Sequence, residues 1–177
     1  PGELPARELS CQLAECQELG GDVVRLVLRL PAGRQPRYYA GQYLLLQRED
    51  GEWSAFSLAS APGSGREREL HVLAREYSVI ELLAFIPRQG FARIQLPFGD
   101  THLAELPEGP LVLIAAGTGM AQMHSLIEYC RAAGFEHPVH LYWGVRRPED
   151  FYQLPHWDDW LEMSNLYLHR VVSDVCG

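Results

Sequence analysis

The sequence predicts a six-stranded antiparallel β-barrel followed by part of an α/β domain with a doubly wound parallel sheet. Two observations support this fold class. Through residues 7–98, short apolar segments with strand periodicity alternate with turn residues, and one segment has helical periodicity. From residue 110 onward the order becomes strand, helix, strand, helix and strand, which is typical of a parallel sheet.

The barrel strands follow from the alternation of apolar residues. Residues 7–30 alternate on either side of Gly20-Gly21-Asp22, which predicts two antiparallel strands joined by a turn. Four further strands are predicted over residues 38–46, 53–62, 69–74 and 92–96. The apolar period becomes helical over residues 78–86, with Ser78 placed as the N-cap and Gly90 at the end of the helix.

Residues 110–127 predict a strand, a glycine turn and the start of a helix. The apolar run 111–116 predicts a strand that is buried on both faces. Gly117-Thr118-Gly119 forms the turn, and apolar residues at helical spacing begin at Met120. A helix that begins at such a turn directs free backbone N–H groups at the sheet edge, which favours phosphate. An ordinary βα turn is the alternative, because the complete G-x-G-x-x-G pattern is absent.

Two more strands are predicted after this helix, at residues 138–143 and 165–172, with an irregular helical segment at 150–163. In the usual doubly wound order the strand at 111–116 is central, with further strands on its far side. Without them it becomes an exposed edge, which native proteins avoid. We therefore expect the natural protein to continue past Gly177.

The boundary between the two domains is predicted in the polar segment 106–110, which contains two prolines. The first domain then covers residues 1–106. The second covers residues 107–177 and is expected to be truncated at its C-terminus.

Composition narrows the possible functions. All 15 basic residues are arginine, and 23 acidic residues give a net charge of −8, which argues against nucleic acid or an anionic membrane as the main partner. A catalytic lysine is excluded. The sequence has neither a membrane-spanning apolar run nor a signal peptide, so the expected location is the cytoplasm. The four cysteines and seven histidines are scattered, and no metal site is predicted.

Five ordered motifs carry a resemblance to a known family: Ala40-Gly41-Gln42-Tyr43, Phe56-Ser57-Leu58-Ala59-Ser60, Pro97-Phe98-Gly99, Ala115-Ala116-Gly117-Thr118-Gly119 and Leu141-Tyr142-Trp143-Gly144-Val145-Arg146. Together they resemble the ferredoxin–NADP reductase superfamily, and especially its NAD(P)H–flavin reductases and oxygenase reductase components. The resemblance covers nearly the whole chain. It implies a flavin, FAD or FMN, on the barrel, and NADH or NADPH on the α/β domain as hydride donor.

The resemblance assigns the flavin site to the segment around Phe56. In the family motif Arg-x-Tyr-Ser, the aromatic ring packs on the isoalloxazine, the serine lies near flavin N5 and the arginine holds the phosphate. Phe56 and Ser57 match this motif and continue into Leu58 and Ala59, whereas Ser54 stands at the arginine position. A hydroxyl supplies only a neutral hydrogen bond where a guanidinium would pair with phosphate. The flavin is therefore expected to be bound loosely, or the site to be degenerate.

Two features are candidates to replace the missing arginine: the side chain of Arg75, and the backbone amides near Ser78. The alternative interpretation of this segment involves no ligand: Phe56 is an ordinary barrel core residue, and Ser57 is its solvent-facing neighbour.

On the second domain the resemblance implies that Gly117, Thr118 and Gly119 hold the nicotinamide side, with the helix from Met120 facing the pyrophosphate. Thr118 is then expected to lie opposite Ser57, and these two are the candidate catalytic residues. In the same motif, the sequence has Gln122 where the family has proline.

Arg146 and Arg147 follow the second predicted parallel strand, where an acidic residue binds the ribose diol of NAD. An arginine at this position favours the 2′-phosphate of NADPH. The alternative is a solvated cluster of surface charges with the neighbouring acidic residues.

Three functions are compatible with these motifs. The first is an NAD(P)H-dependent flavin oxidoreductase that passes electrons to a downstream acceptor. An electron-acceptor protein is one candidate for this acceptor. The second is the reductase module of a longer protein with an iron–sulfur domain. The third, of another class, is a non-catalytic flavin- or nucleotide-binding module with a degenerate site, motivated by Ser54.

Overall fold

The computed structural model describes residues 4–173. Within these residues the chain forms a six-stranded antiparallel sheet and a three-stranded parallel sheet, in that order along the sequence. Both predicted parts of the fold are therefore confirmed, and the expected continuation past Gly177 lies outside the described residues.

The barrel begins with the predicted hairpin, β1 (Arg7–Gly20) and β2 (Val23–Arg29). The other barrel strands are β3 (Tyr43–Gln47), β4 (Trp53–Ser57), β5 (Glu67–Leu73) and β6 (Ala92–Phe98). Their order in the sheet is β4-β3-β6-β1-β2-β5. A bridge between Leu58 and Leu70 connects the two outer strands and closes the barrel.

The strand predicted at residues 38–46 is shorter in the structure, because β3 begins only at Tyr43. Gly41 explains the late start. Its backbone has φ 103° and a Cβ there would lie 2.7 Å from the carbonyl oxygen of Thr101. The chain therefore turns at this glycine and packs against the segment that leaves the barrel, instead of extending into the sheet.

Helix α1 (Tyr77–Gln89) packs against the barrel core through Leu82 and Ile86. The predicted N-cap at Ser78 is wrong: the helix begins at Tyr77, its N-cap is Glu76, and the helix has no side-chain cap. Ser78 lies inside the first turn, because the short turn after β5, residues 74–76, ends one residue before the helix begins at Tyr77. The end at Gly90 is confirmed, since this residue adopts the left-handed conformation with φ 89°.

The second part alternates strands and helices as predicted. It contains β7 (Leu111–Ala116), a 3₁₀ turn (Gly117–Gly119), α2 (Met120–Ala133), β8 (Val139–Val145), α3 (Trp157–Leu161) and β9 (Leu166–Val172). The strands are parallel and lie in the order β7-β8-β9.

The prediction that β7 is buried on both faces is wrong for the described residues. Leu113 and Ala115 pack with residues of α2 and α3, but Val112 and Ile114 are 61% and 73% exposed. Both connecting helices cover the same face of the sheet, so the other face is uncovered. The apolar composition of the strand did not show which face this would be.

The two parts share a continuous apolar core. Leu19, Val23 and Ala40 of the barrel pack into the same buried cluster as the parallel strands and α2. None of the helices within residues 4–173 has the length and apolar character needed to span a bilayer.

Candidate functional site

A cleft of about 400 Å³ lies between the barrel and the carboxyl ends of the three parallel strands. Its barrel wall comes from the β1–β2 turn and the end of β5. Its other wall comes from the residues that follow β7, β8 and β9. In open α/β sheets, ligands bind in this crevice beyond the carboxyl ends of the strands. Four predicted site residues line the cleft: Arg75, Gly117, Thr118 and Arg146.

The Gly-Thr-Gly turn is open towards solvent. A Cβ built on Gly117 or Gly119 would meet no heavy atom within 4 Å, so a ligand can approach the backbone closely. The indole Nε1 of Trp143 donates a hydrogen bond of 3.0 Å to the Gly117 carbonyl and holds the turn against β8.

Helix α2 begins at Met120, as predicted, and its first turn has neither a side-chain cap nor an acidic residue. No side chain in this turn therefore neutralises the positive end of the helix dipole, which favours an anion there. The side chain of Met120 is fully buried, and its backbone N–H donates to the carbonyl oxygens of Gly117 and Thr118, so neither group is offered to a ligand.

Arg75 spans the cleft from the barrel side. Its guanidinium lies 3.0 Å from a carboxylate oxygen of Asp22 in the β1–β2 turn and 3.0 Å from one of Asp150, which follows β8. The hydrogen bond from Arg75 lowers the pKa of Asp150. Arg75 thus lines the cleft at the ends of the parallel strands, whereas Ser78, the other candidate phosphate contact, lines a different cavity.

The two arginines after β8 are both exposed. Arg146 lines the cleft. The backbone N–H of Arg147 donates to Asp150 Oδ2 at 3.3 Å, so Arg147 helps to fix the loop that also holds Arg75.

On β4, Ser54, Phe56 and Ser57 are half-buried, and Phe56 packs against the barrel core. Phe56 and Ser57 do not line the cleft described above or the cavity beside Ser78. Leu58 and Ala59 are completely buried, so these two predicted contacts can offer only backbone groups.

Sequence reasoning missed Arg48, in the β3–β4 turn. Its Nη1 donates to Ser54 Oγ at 3.2 Å, and its Nη2 lies 3.1 Å from Asp50 Oδ2. Arg48 and Ser78 both line a cavity of about 330 Å³. A guanidinium therefore lies beside the position where the family motif has its arginine. Only the register of β3 against β4, which pairs Leu46 with Ser54, brings the two together.

A buried polar cluster at the junction of the two parts was also missed. Glu69 and His71 on β5 face His124 on α2 and Tyr152 from the segment after β8. The hydrogen bond from His71 Nε2 to Glu69 Oε2 is 2.6 Å long, and Tyr152 Oη lies 3.2 Å from His71 Nδ1. No feature of the sequence alone predicts that these four residues meet.

Comparison with known families identifies the second part of the chain. Residues 113–175 match the model of the oxidoreductase NAD-binding domain family. The predicted resemblance to the ferredoxin–NADP reductase superfamily is confirmed. The match includes the Gly-Thr-Gly turn and the cleft residues after β8 and β9.

Curated relatives extend the similarity to both parts of the chain. The chain is 34% identical over 145 residues to an NAD(P)H-flavin reductase of Vibrio harveyi, covering 78% of this chain and 60% of that protein. It is 33% identical over 144 residues to the reductase component 1 of terephthalate 1,2-dioxygenase from a Comamonas species, covering 78% of this chain and 42% of that protein. The chain thus spans about half the length of these relatives.

Solved structures show the same architecture. The Amycolatopsis cytochrome P450 reductase superposes with a TM-score of 0.83 at 28% identity, covering 97% of this chain and 54% of that one. Phthalate dioxygenase reductase, at 20% identity and a TM-score of 0.75, shares the fold.

Proposed function

We propose that the protein is an NAD(P)H-dependent flavin oxidoreductase that transfers hydride from NADH or NADPH to FAD or FMN, whose electrons then pass to a downstream acceptor. The observation that carries this proposal is the open Gly-Thr-Gly turn, which faces a cleft whose opposite wall is the barrel. Similarity to an NAD(P)H-flavin reductase supports it. Under this proposal residues 1–106 form the flavin-binding domain and residues 107–177 the NAD(P)-binding domain.

The cleft residues fit a dinucleotide. The uncapped start of α2 offers backbone N–H groups to a pyrophosphate, and the glycines on either side of Thr118 leave room for it. We assign Arg146 and Arg147 to the ribose of the adenosine half, where a guanidinium suits a 2′-phosphate. We therefore propose NADPH as the preferred hydride donor.

The flavin is proposed to lie along β4, with its phosphate towards Ser54 and Ser78. Arg48 supplies the positive charge that the motif lacks, although the carboxylate of Asp50 competes for it. Glu49 and Glu81 also line this cavity and oppose an anion. Weak flavin binding follows, so that the flavin behaves more as a substrate than as a fixed group.

Bound NAD(P)H supplies the hydride from nicotinamide C4, and a flavin accepts it at N5. We assign Ser57 to donate a hydrogen bond near N5, and Thr118 to support the nicotinamide ring from the opposite side. Both residues act by orientation, since the reaction requires the two rings to be held in contact.

An absorbance spectrum and an NAD(P)H oxidation assay test this function on the full-length protein. A colourless protein that oxidises NAD(P)H only when free flavin is added supports a flavin reductase. Absence of both flavin binding and NAD(P)H oxidation contradicts the proposal and supports the binding module with a degenerate site.

Ser57→Ala should lower turnover about 10-fold, the effect of one positioned hydrogen bond of about 1.4 kcal/mol. Ser10→Ala is the matched control, because Ser10 is an exposed serine on β1 of the same barrel. Turnover that is equal in the two variants would remove Ser57 from the mechanism.

The second candidate is a reductase module that donates electrons to a separate acceptor protein. It is favoured by the similarity to dioxygenase reductase components, of which the chain covers less than half. A yellow full-length protein, bleached by NAD(P)H and reoxidised by an iron–sulfur acceptor, would support this candidate over the first.

The cytoplasm is the proposed location. Cys11, Cys16 and Cys130 are free thiols in the described part of the chain, which is the usual state in a reducing compartment. Mass spectrometry of the native protein after thiol alkylation would test whether they are free in the cell.

A further inference from the structure

His124 makes two hydrogen-bond contacts that a neutral imidazole cannot satisfy together. The residue lies on α2 and is 1% exposed. Its Nδ1 is 2.7 Å from the carbonyl oxygen of Ala59, and its Nε2 is 3.1 Å from the carbonyl oxygen of Pro155. Both partners are acceptors only, whereas a neutral imidazole carries one N–H and one lone pair. With one proton, the ring would direct a lone pair at one of the two carbonyl oxygens.

We propose that His124 is a buried imidazolium that joins the barrel to the α/β part and positions the two halves of the hydride-transfer site. Only the doubly protonated ring donates to both carbonyls. This inference rests on the proposed function for its catalytic consequence, but the charge itself is a property of the folded chain.

One counter-charge is the carboxylate of Glu69, whose oxygen lies within 4.8 Å of a ring nitrogen of His124. Burial opposes its ionisation, but the hydrogen bond from His71 and the positive charges of His124 and Arg25 lower its pKa to about 2. His71 lies between the two charges and is neutral, because burial lowers its pKa to about 4. It donates from Nε2 to Glu69 and accepts at Nδ1 from the hydroxyl of Tyr152.

A second carboxylate faces His124 from its own helix. Glu128 is partly buried, and its pKa is lowered by hydrogen bonds from Arg131 and Trp160 and by the charges of His124 and His156. The His156 ring is 5.9 Å from that of His124, and the guanidinium of Arg25 pairs with Glu69. Glu69 and Glu128 thus place negative charge on two sides of the His124 ring.

The same residues do not form a metal site with this geometry. Glu69, His71 and His124 offer ligand atoms within 4.8 Å of one another. Ligands around a tetrahedral zinc ion lie about 3.4 Å apart, given bonds of about 2.1 Å. The 2.6 Å contact between Glu69 and His71 is instead a hydrogen bond, and both nitrogens of His124 already face carbonyl oxygens.

The two carbonyl partners explain why the charge matters for the reaction. Ala59 lies two residues after Ser57, and His124 lies six residues after Thr118 along the Gly-Thr-Gly turn and α2. The 2.7 Å bond therefore fixes the segment just after β4, where we place the flavin, against α2, which begins at the proposed dinucleotide site. The Pro155 bond fixes the segment before α3 to the same ring. His124 is thus a positioning residue, because it acts through the residues that contact the cofactors.

Nitrogen NMR of the full-length protein labelled with ¹⁵N-histidine tests the charge without any cofactor. We expect the signals that disappear in His124→Gln to show two protonated ring nitrogens at neutral pH. His137→Gln is the control, since His137 is exposed. A single unprotonated nitrogen assigned to His124 would overturn the proposal.

Activity tests the positioning role. His124→Gln should lower turnover about 10-fold with little change in KM, because it removes the ring that bridges the carbonyls of Ala59 and Pro155. Turnover equal to that of wild type in His124→Gln would overturn the positioning role.

Two outcomes distinguish this proposal from a metal site and from the proposed function. If Zn²⁺ raises the melting temperature of wild type and has no effect on His124→Gln, the cluster is a metal site and the imidazolium is refuted. If the NMR result holds but neither flavin nor NAD(P)H is used, the proposed function fails and the charged junction stands.

Discussion

Replacing Arg48 with alanine should weaken FMN binding about 10-fold and leave riboflavin binding nearly unchanged. The two ligands differ only in the phosphate, which we place beside Ser54, where Arg48 Nη1 lies 3.2 Å from the serine oxygen. A hydrogen bond between charged partners contributes about 1.5–3 kcal/mol, which corresponds to roughly 10- to 150-fold in affinity. The lower end applies because Arg48 is part-exposed and already pairs with Asp50.

Quenching of flavin fluorescence measures both affinities on the same protein preparation. Arg29→Ala is the matched control, because Arg29 forms an exposed ion pair with Glu67 on a distant barrel strand. Asp50→Asn provides the opposite change: it removes the competing carboxylate and should strengthen FMN binding while riboflavin again responds little.

Equal losses for FMN and riboflavin in Arg48→Ala would refute the reasoning, since they would indicate a damaged barrel instead of a lost phosphate contact. Unchanged FMN affinity would also refute it and place the phosphate elsewhere. Failure of wild type to bind either ligand would contradict the proposed function itself, whatever the variant does.

Three other changes should have measurable effects. Arg75→Ala should raise KM for NADPH about threefold, because it removes a cation from the cleft. The melting temperature should change little, since only exposed ion pairs are broken. An unchanged KM would exclude Arg75 from binding. Gln122→Ala should lower the free energy of unfolding by about 1 kcal/mol in urea titrations, since the amide donates to the carbonyls of Gly41 and Thr101. The free energy of unfolding should fall on acidification, because folding lowers the pKa of both His71 and Glu69 and the unfolded chain therefore binds these protons at higher pH. The loss through His71 is expected between about pH 6.5 and 4, and the loss through Glu69 between about pH 4.5 and 2. Urea midpoints in a pH series measure this, and a midpoint independent of pH in that range would contradict it.

Features set by neighbouring residues were predictable from the sequence. The β1–β2 hairpin, the Gly-Thr-Gly turn and the start of α2 at Met120 depend on periodicity and glycine placement within one short segment. Their positions therefore agree with the structure. The same holds for Gly90 at the end of α1, where the left-handed conformation selects glycine.

Features set by distant residues were not predictable. Arg48 reaches Ser54 only through the register of two strands, and His124 meets Glu69 only when α2 docks on the barrel. The exposed face of β7 likewise depends on which side the connecting helices pass. The position of Arg75 was decided by ion pairs across the cleft, which its place before α1 does not reveal.

Besides the shared apolar core, three side chains of α2 hydrogen-bond to backbone carbonyls of the barrel part. Gln122 donates to the carbonyls of Gly41 and Thr101, His124 to that of Ala59, and Ser125 to that of Ser60 at 2.8 Å. Backbone carbonyls persist when the side chains around them change. Under the proposed function, substitutions on β4, including serine for the motif arginine at position 54, can therefore alter how tightly flavin binds without moving the strand relative to Thr118. The proposal thus assigns the alignment for hydride transfer to one turn of α2 and the affinity for flavin to the barrel.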